Sequence, residues 1–319
     1  MSDLTIREIR AAAERIRPIA HRTPILTSRT FDERAAAQAF FKCENLQRGG
    51  AFKIRGAANF IYSIPKDQLS RGVVAYSSGN HAQAVAIAAR SLNISATLVM
   101  PLDAPRSKME ATRGYGARIL TYDRLREDRE EIGRRVAEET GATLVPPYDH
   151  PWTIAGQGTA TLELLEDIPD LDTLVICVGG GGLLAGSCIA AKTTLPSIRI
   201  FGVEPEDASD TYLSLRAGHR VKIPPPATAA DGLRAQTPGE ITFPILREHV
   251  EDIVLVSEPE IRETVQFFLT RMKIVVEPSG AVAAAAVLFG KLPRKPGRVG
   301  ILISGGNMDL EYLQSLGDN

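Results

Sequence analysis

The chain has 319 residues, 44% of them hydrophobic, 6% aromatic and 24% charged, a balance suited to a folded core rather than to a disordered or fibrous chain. With 37 Lys and Arg against 38 Asp and Glu the formal net charge is -1, so no strong field points to nucleic acid or to an anionic membrane surface. No apolar run approaches the about 20 residues that a membrane span needs.

At the N-terminus Thr5 and Glu8 form a capping box, and Ile6, Ile9, Ala13 and Ile16 mark one face of a helix. The same segment lacks the basic-then-apolar pattern of a signal peptide. The three cysteines, Cys43, Cys177 and Cys188, have no metal-type spacing and read as reduced and buried, hence a cytoplasmic protein. Short apolar runs follow at 72–76, 96–100, 118–122, 173–178, 199–203, 252–256 and 299–303. Helical runs lie between them at 81–90, 125–140, 160–166 and 258–273. Strands apolar on both faces and separated by helices predict an α/β fold built on parallel sheets. Prolines 146, 147 and 151 punctuate the middle. A small α/β domain over 72–143 is expected, inserted into a larger one made of 1–65 and 144–319.

Four polar or glycine-rich turns interrupt this pattern, and three directly follow an apolar run, where open α/β sheets bind ligands. In chain order the first is Gly49-Gly50-Ala51-Phe52-Lys53-Ile54-Arg55-Gly56, whose lysine is either solvated or held desolvated with a nucleophilic amine. Next comes Ser77-Ser78-Gly79-Asn80-His81, a carboxylate cradle at a helix start or an ordinary N-cap. Gly179-Gly180-Gly181-Gly182 lets backbone N–H groups converge on a phosphate. The same glycines, as Gly180-x-Gly182-x-x-Ala185 with Glu204 at the end of the next strand, also fit a dinucleotide fingerprint, and a tight turn without ligand is a third option. The last, Ser304-Gly305-Gly306-Asn307, suits close approach to a flat ligand or a plain strand-to-helix turn.

Taken together and in this order, the turns resemble the tryptophan-synthase-β-like enzymes that use pyridoxal phosphate (PLP), known as fold type II. The closer likeness is to the serine racemase, threonine dehydratase and 3-hydroxyaspartate dehydratase family, from about residue 6 to residue 313. The resemblance implies two open parallel-sheet domains with the cofactor between them. It makes Lys53 the lysine that joins PLP as a Schiff base, and Gly179, Gly180, Gly181 and Gly182 the phosphate loop. Asn80 would contact the ring hydroxyl and Ser304 would face the pyridine nitrogen. Ser77, Asn80 and His81 would hold the substrate carboxylate, and Ser78 would stand on the cofactor face opposite Lys53, as in the family's racemases. The segment from Glu204 to Asp210 matches a divalent-cation site, with the Glu204 and Asp210 carboxylates and the Ala208 carbonyl as an oxygen set suited to Mg²⁺ or Ca²⁺. That role removes Glu204 from the ribose-binding position of the dinucleotide reading. Where many relatives carry Thr-Gly-Ser-Phe-Lys, this chain has Gly49-Gly50-Ala51-Phe52-Lys53.

The activity so implied is dehydration and deamination of L-threonine, L-serine or 3-hydroxyaspartate to a 2-oxo acid and ammonia. A serine- or aspartate-type racemase with side dehydratase activity is the alternative, and a dinucleotide-binding oxidoreductase a remote one. Arg129 lies in a charge run, Glu127-Asp128-Arg129-Glu130-Glu131, that composition alone would leave on a solvated helix face. The resemblance places it at the active-site entrance, where a guanidinium suits the second carboxylate of 3-hydroxyaspartate. A homodimer is the family expectation.

Overall fold

A computed structural model describes residues 4–77, 79–104, 106–123 and 126–317, with the side chains of 106–108 left aside. Among these residues lie strands Ile25–Leu26 (β1), Gln38–Cys43 (β2), Val73–Tyr76 (β3), Ala96–Pro101 (β4), Arg118–Tyr122 (β5), Thr143–Leu144 (β6), Thr173–Cys177 (β7), Arg199–Pro205 (β8), Asp252–Val256 (β9) and Arg298–Ile303 (β10). They form a six-stranded sheet ordered β1-β2-β10-β7-β8-β9 and a four-stranded sheet ordered β5-β4-β3-β6. All pairs are parallel except β1 with β2.

Helices cover both faces of the larger sheet, so its central strands have no polar face to show. On β7, Val175 and Cys177 enter a core beneath helices Glu258–Phe267 and Pro278–Leu288. Leu174 and Ile176 enter the opposite core, beneath helices Pro151–Asp167 and Gly182–Thr194. The smaller sheet packs Val73, Ala75, Leu98 and Met100 against helices Lys53–Ser63 and Asn80–Ser91. Its other face meets Ile132 of helix Arg129–Thr140 through Val99 and Tyr122. Helix Lys53–Ser63 touches helices of both groups: Ile54 packs with the small sheet's core, while the carbonyl of Arg55 abuts Gly156.

Several elements differ from expectation for definable reasons. The helix expected at 160–166 runs from Pro151, which occupies its first turn, to Asp167. Its early glycines are contact points rather than breakers. A Cβ on Gly156 would come within 2.3 Å of the Arg55 carbonyl oxygen, and one on Gly158 within 2.6 Å of the Gly186 carbonyl oxygen. The helix expected over 258–273 is α-helical to Phe267 and then widens into a π-turn, Phe268–Met272, closed by Lys273 at φ 63. Helix Arg129–Thr140 starts where Asp128 caps it, its carboxylate accepting from Glu130 N at 2.7 Å. Strand β2 was hidden by its own Lys42, which is fully buried. The Lys42 ammonium meets the Glu163 carboxylate at 2.6 Å and the Thr23 carbonyl at 2.8 Å.

That ion pair extends into a buried lattice of two cations and two carboxylates. Arg55 donates to Glu44 at 2.7 and 2.9 Å and to Glu163 at 2.7 and 2.8 Å. Burial alone would raise the Glu44 carboxyl, but the adjoining Arg55 charge wins and holds it below its usual range. Removing one member would strand a buried charge, at about 3–5 kcal/mol. The lattice pins helix Lys53–Ser63 to β2 and to helix Pro151–Asp167. No helix among the described residues is long and apolar enough to cross a membrane, and Cys43, Cys177 and Cys188 are free and buried as expected.

Candidate active site

A cleft of about 1200 Å³ opens at the carboxyl ends of the strands, where Tyr76 ends β3, Cys177 ends β7 and Ser304 follows β10. Lys53, Ser77, Asn80, His81, Arg129, the four glycines 179–182 and Ser304 all line it. Four turns far apart in the chain thus converge; the candidate Ser78 lies outside the described residues.

Lys53 opens its helix and donates from Nζ to the Pro147 carbonyl at 2.9 Å. Burial draws its pKa down to about 8, against the opposing influence of Cys177 and Glu277. The amine is thus partly desolvated rather than freely solvated, and at pH 7 about a tenth of it is uncharged. Gly49 and Gly50 hold the preceding turn at φ 73 and φ 71, and a Cβ on Gly50 would fall 2.3 Å from Asn307 Oδ1. Ala51 bridges to Gly305 across the cleft floor, so the small residues of this turn bring the lysine and Ser304 motifs together.

A chain of amides ties the turns to one another. Asn307 Nδ2 donates to the Gly49 carbonyl at 2.7 Å and to Asn80 Oδ1 at 2.8 Å, and Asn80 Nδ2 donates to Glu277 Oε1 at 2.7 Å. Ser77 Oγ accepts from Gly79 N at 3.2 Å. His81 turns its ring away from the cradle, with Nε2 3.0 Å from the Val145 carbonyl and Nδ1 buried without a partner. Since a carbonyl only accepts, Nε2 carries the hydrogen and Nδ1 is a bare acceptor. Burial and the Lys53 charge lower the imidazole to about 3, so it is neutral. A carboxylate can draw on His81 only through its main-chain N–H near the helix start, not through the ring.

Gly181, at φ 93, turns the glycine loop into helix Gly182–Thr194, whose first N–H groups have no intrahelical acceptor. The loop is clamped from behind: Thr242 Oγ1 and Gly239 N donate to the Gly180 carbonyl at 2.8 and 3.2 Å. Tyr148 lies on its other side, so close that a Cβ on Gly180 would stand 2.3 Å from the ring. Such a glycine cradle fits a phosphate. Ser304 is buried, takes Phe52 N on its carbonyl at 3.0 Å, and hydrogen-bonds through its hydroxyl to the Cys177 thiol. Burial pushes that thiol up to about 11, and it stays protonated.

At the cleft mouth the Arg129 guanidinium stands 5.8 Å from the Tyr76 ring centroid. Arg129, the first residue of its helix, lines the cleft together with its neighbours Asp128 and Glu130. Burial pushes the nearby Tyr148 hydroxyl up to about 12, with the Glu130 and Asp149 charges adding to the rise.

Glu204 and Asp210 form a separate buried pair. Glu204 accepts from Thr211 N at 3.0 Å and Tyr212 N at 2.8 Å, while both Asp210 carboxylate oxygens are buried without a partner. Burial and then Asp210 drive Glu204 well above the usual carboxyl range, and burial lifts Asp210 to about 7. Two facing carboxylates with unused lone pairs suit a hard cation. Among the described residues no cluster of three or more His, Cys, Asp or Glu could hold a metal, so a cation at this pair would need other oxygen donors to complete its shell. This geometry disposes of the ribose-binding role for Glu204. Glu277, Tyr148 and Gln157 complete the site without having been singled out in the sequence, and Asn307, the end of the Ser304 turn, had been given no role of its own. A lone acid immediately before the uncharged, alanine-rich helix Pro278–Leu288 was the available signal for Glu277.

Two mostly parallel sheets with a half-buried lysine, a glycine cradle and a serine at one cleft define a fold type II PLP enzyme. The chain belongs to the pyridoxal-phosphate dependent enzyme family, whose model matches residues 16–305. It is 52% identical over 305 residues to an L-threo-3-hydroxyaspartate ammonia-lyase of Pseudomonas sp, covering 96% of each chain. It is 48% identical over 307 residues to a serine racemase of Schizosaccharomyces pombe, covering 96% of this chain and 95% of that one. The solved structure of maize serine racemase superposes with a TM-score of 0.94 at 44% identity, over 98% of this chain and 96% of that one.

Proposed function

We propose that the protein eliminates water from small β-hydroxy amino acids, L-threonine, L-serine or 3-hydroxyaspartate, releasing a 2-oxo acid and ammonia. The observation that carries this reading is Lys53, half-buried and lining the cleft with its amine on the Pro147 carbonyl and its pKa drawn down to about 8. PLP, when bound, supplies the electron sink that acidifies the substrate Cα. Lys53 would hold the cofactor and, once released, take the Cα proton as a neutral amine. The N–H groups of 179–182 would bind the phosphate, and Asn80, fixed between Glu277 and Asn307, would meet the ring hydroxyl. Ser304 offers a neutral hydroxyl to the pyridine nitrogen, which favours elimination over transamination. Ser77, Ser78, Asn80 and the main chain at His81 would take the substrate carboxylate. Arg129 would take a second carboxylate, favouring 3-hydroxyaspartate. Glu204, Asp210 and the Ala208 carbonyl would hold Mg²⁺ or Ca²⁺. The proposal extends to a homodimer in the cytoplasm, where buried free thiols stay reduced.

Similarity to serine racemases supports racemisation as a second activity, with Ser78 as the second base. The deciding experiment measures products from L-threonine, L-serine and both 3-hydroxyaspartate diastereomers, on PLP-loaded protein with and without Mg²⁺. Oxaloacetate formed far faster than 2-oxobutyrate, with that preference lost in Arg129→Ala, is the expected result. An unchanged substrate ratio in Arg129→Ala would remove Arg129 from the site, and absence of any 2-oxo acid would overturn the elimination.

A further inference from the structure

Three successive residues meet the site in three ways. The Pro147 carbonyl receives Lys53 Nζ, and the Tyr148 ring covers Gly180. Asp149 does neither, and like Gly239 and Thr242 it does not line the cleft. Its carboxylate instead accepts from Glu240 N at 2.8 Å, from Ile241 N at 2.9 Å and from Thr242 N at 3.2 Å. These N–H groups open helix Thr242–His249, and its own preceding residue, Ile241, has no polar side chain to cap it. Asp149 supplies that cap from a distant part of the chain. Gly239 leaves room for it, since a Cβ there would fall 2.2 Å from Asp149 Oδ1.

The capped turn grips the glycine loop. Thr242 Oγ1 donates to the Gly180 carbonyl at 2.8 Å, and Gly239 N donates to the same oxygen at 3.2 Å. Thr242 stands so close that a Cβ on Gly181 would lie 2.8 Å from its Oγ1. In a trans peptide the carbonyl and the following N–H point in opposite directions, and no peptide bond among the described residues is cis. A Gly180 carbonyl drawn back to Thr242 therefore turns the Gly181 N–H the other way, toward the cleft that the loop lines. No hydrogen bond among the described residues engages that N–H. A run of four glycines has little stiffness of its own to hold the peptide in this orientation. We infer that Asp149 is a positioning residue for the cofactor phosphate: by capping 240–242 it seats Thr242 on the Gly180 carbonyl and so aims the Gly181 N–H at the anion. The inference rests on reading 179–182 as the phosphate loop.

The test titrates the full-length chain, stripped of cofactor, with PLP and separately with pyridoxal. Pyridoxal lacks the phosphate but offers Lys53 the same aldehyde, and the visible absorbance of the bound cofactor reads both titrations. Wild type should prefer PLP. Thr242→Val, which keeps the shape and loses the donor, and Asp149→Ala should each weaken PLP binding about tenfold, as loss of one charge-assisted hydrogen bond would. Pyridoxal affinity should stay within about twofold, because it makes no use of the loop's N–H groups. Thr242→Ser, which keeps the hydroxyl, should recover the preference for PLP. An undiminished preference in Asp149→Ala and Thr242→Val, or an equal loss for both ligands, would overturn the inference and leave the loop as the phosphate site. If Asp149→Ala does not unfold cooperatively, Thr242→Val decides alone by the same criterion. A wild type that binds PLP and pyridoxal equally would instead overturn the phosphate-loop reading itself, and the inference with it.

Discussion

Acid should destabilise this protein in part through one imidazole. His81 is lowered to about 3 by burial and by the Lys53 charge, while its Nε2–H serves the Val145 carbonyl. The unfolded chain carries it at about 6.5. Below that value the unfolded state binds a proton that the folded state refuses, so stability is lost as pH falls from about 6.5 towards 3. Worked through the two pKa values, the loss between pH 7 and pH 5 is about 2 kcal/mol. With an unfolding entropy of about 2.1 cal/mol/K per residue over the whole chain, this is a fall of about 3 °C in Tm. Urea unfolding of wild type and His81→Gln at both pH values isolates the contribution, because the variant keeps a polar amide but cannot titrate. The stability gap between them should narrow by about 2 kcal/mol at pH 5. A gap of equal size at both pH values would refute the buried neutral imidazole.

Other consequences are equally direct. Gly156→Ala drives a methyl against the Arg55 backbone two residues from Lys53, so it should cost about 1–3 kcal/mol in urea unfolding, whereas Gly114→Ala, with nothing within 4 Å, should be neutral or stabilising. Equal effects at the two sites would contradict the helix contact. Divalent cation at about 100 times its Kd should stabilise wild type by about 2.7 kcal/mol, or about 4 °C, and Asp210→Asn much less. The same gain in both proteins would place the cation elsewhere. Ser78→Ala should abolish D-amino acid formation while dehydration continues; unchanged racemisation would exclude Ser78 as the second base.

Most strands were legible because burial on both faces leaves plain apolar runs, and the helices between them then leave parallel pairing as the economical arrangement. The four turns were legible as chemistry because glycine, serine and lysine after a strand have few structural uses in combination. Less legible were elements whose residues break the local rule for a distant reason. Lys42 disguised β2, since a lysine reads as solvent-facing until Glu163, 121 positions later, is seen to neutralise it. Gly156 and Gly158 disguised half a helix, since glycine reads as a breaker until Arg55 and Gly186 are seen against it. Arg129 looked like one charge among many, and only the fold sets it at the cleft beside the Tyr76 ring. By itself, then, the sequence determined the α/β class and the order of the motifs, both properties of local pattern. Tertiary structure alone decided the desolvated amine, the ring of His81 turned aside, the burial of Glu204 beside an unpartnered Asp210 carboxylate and the place of Gln157. Each of these depends on which groups exclude water around a side chain, and those groups come from segments far apart in the chain.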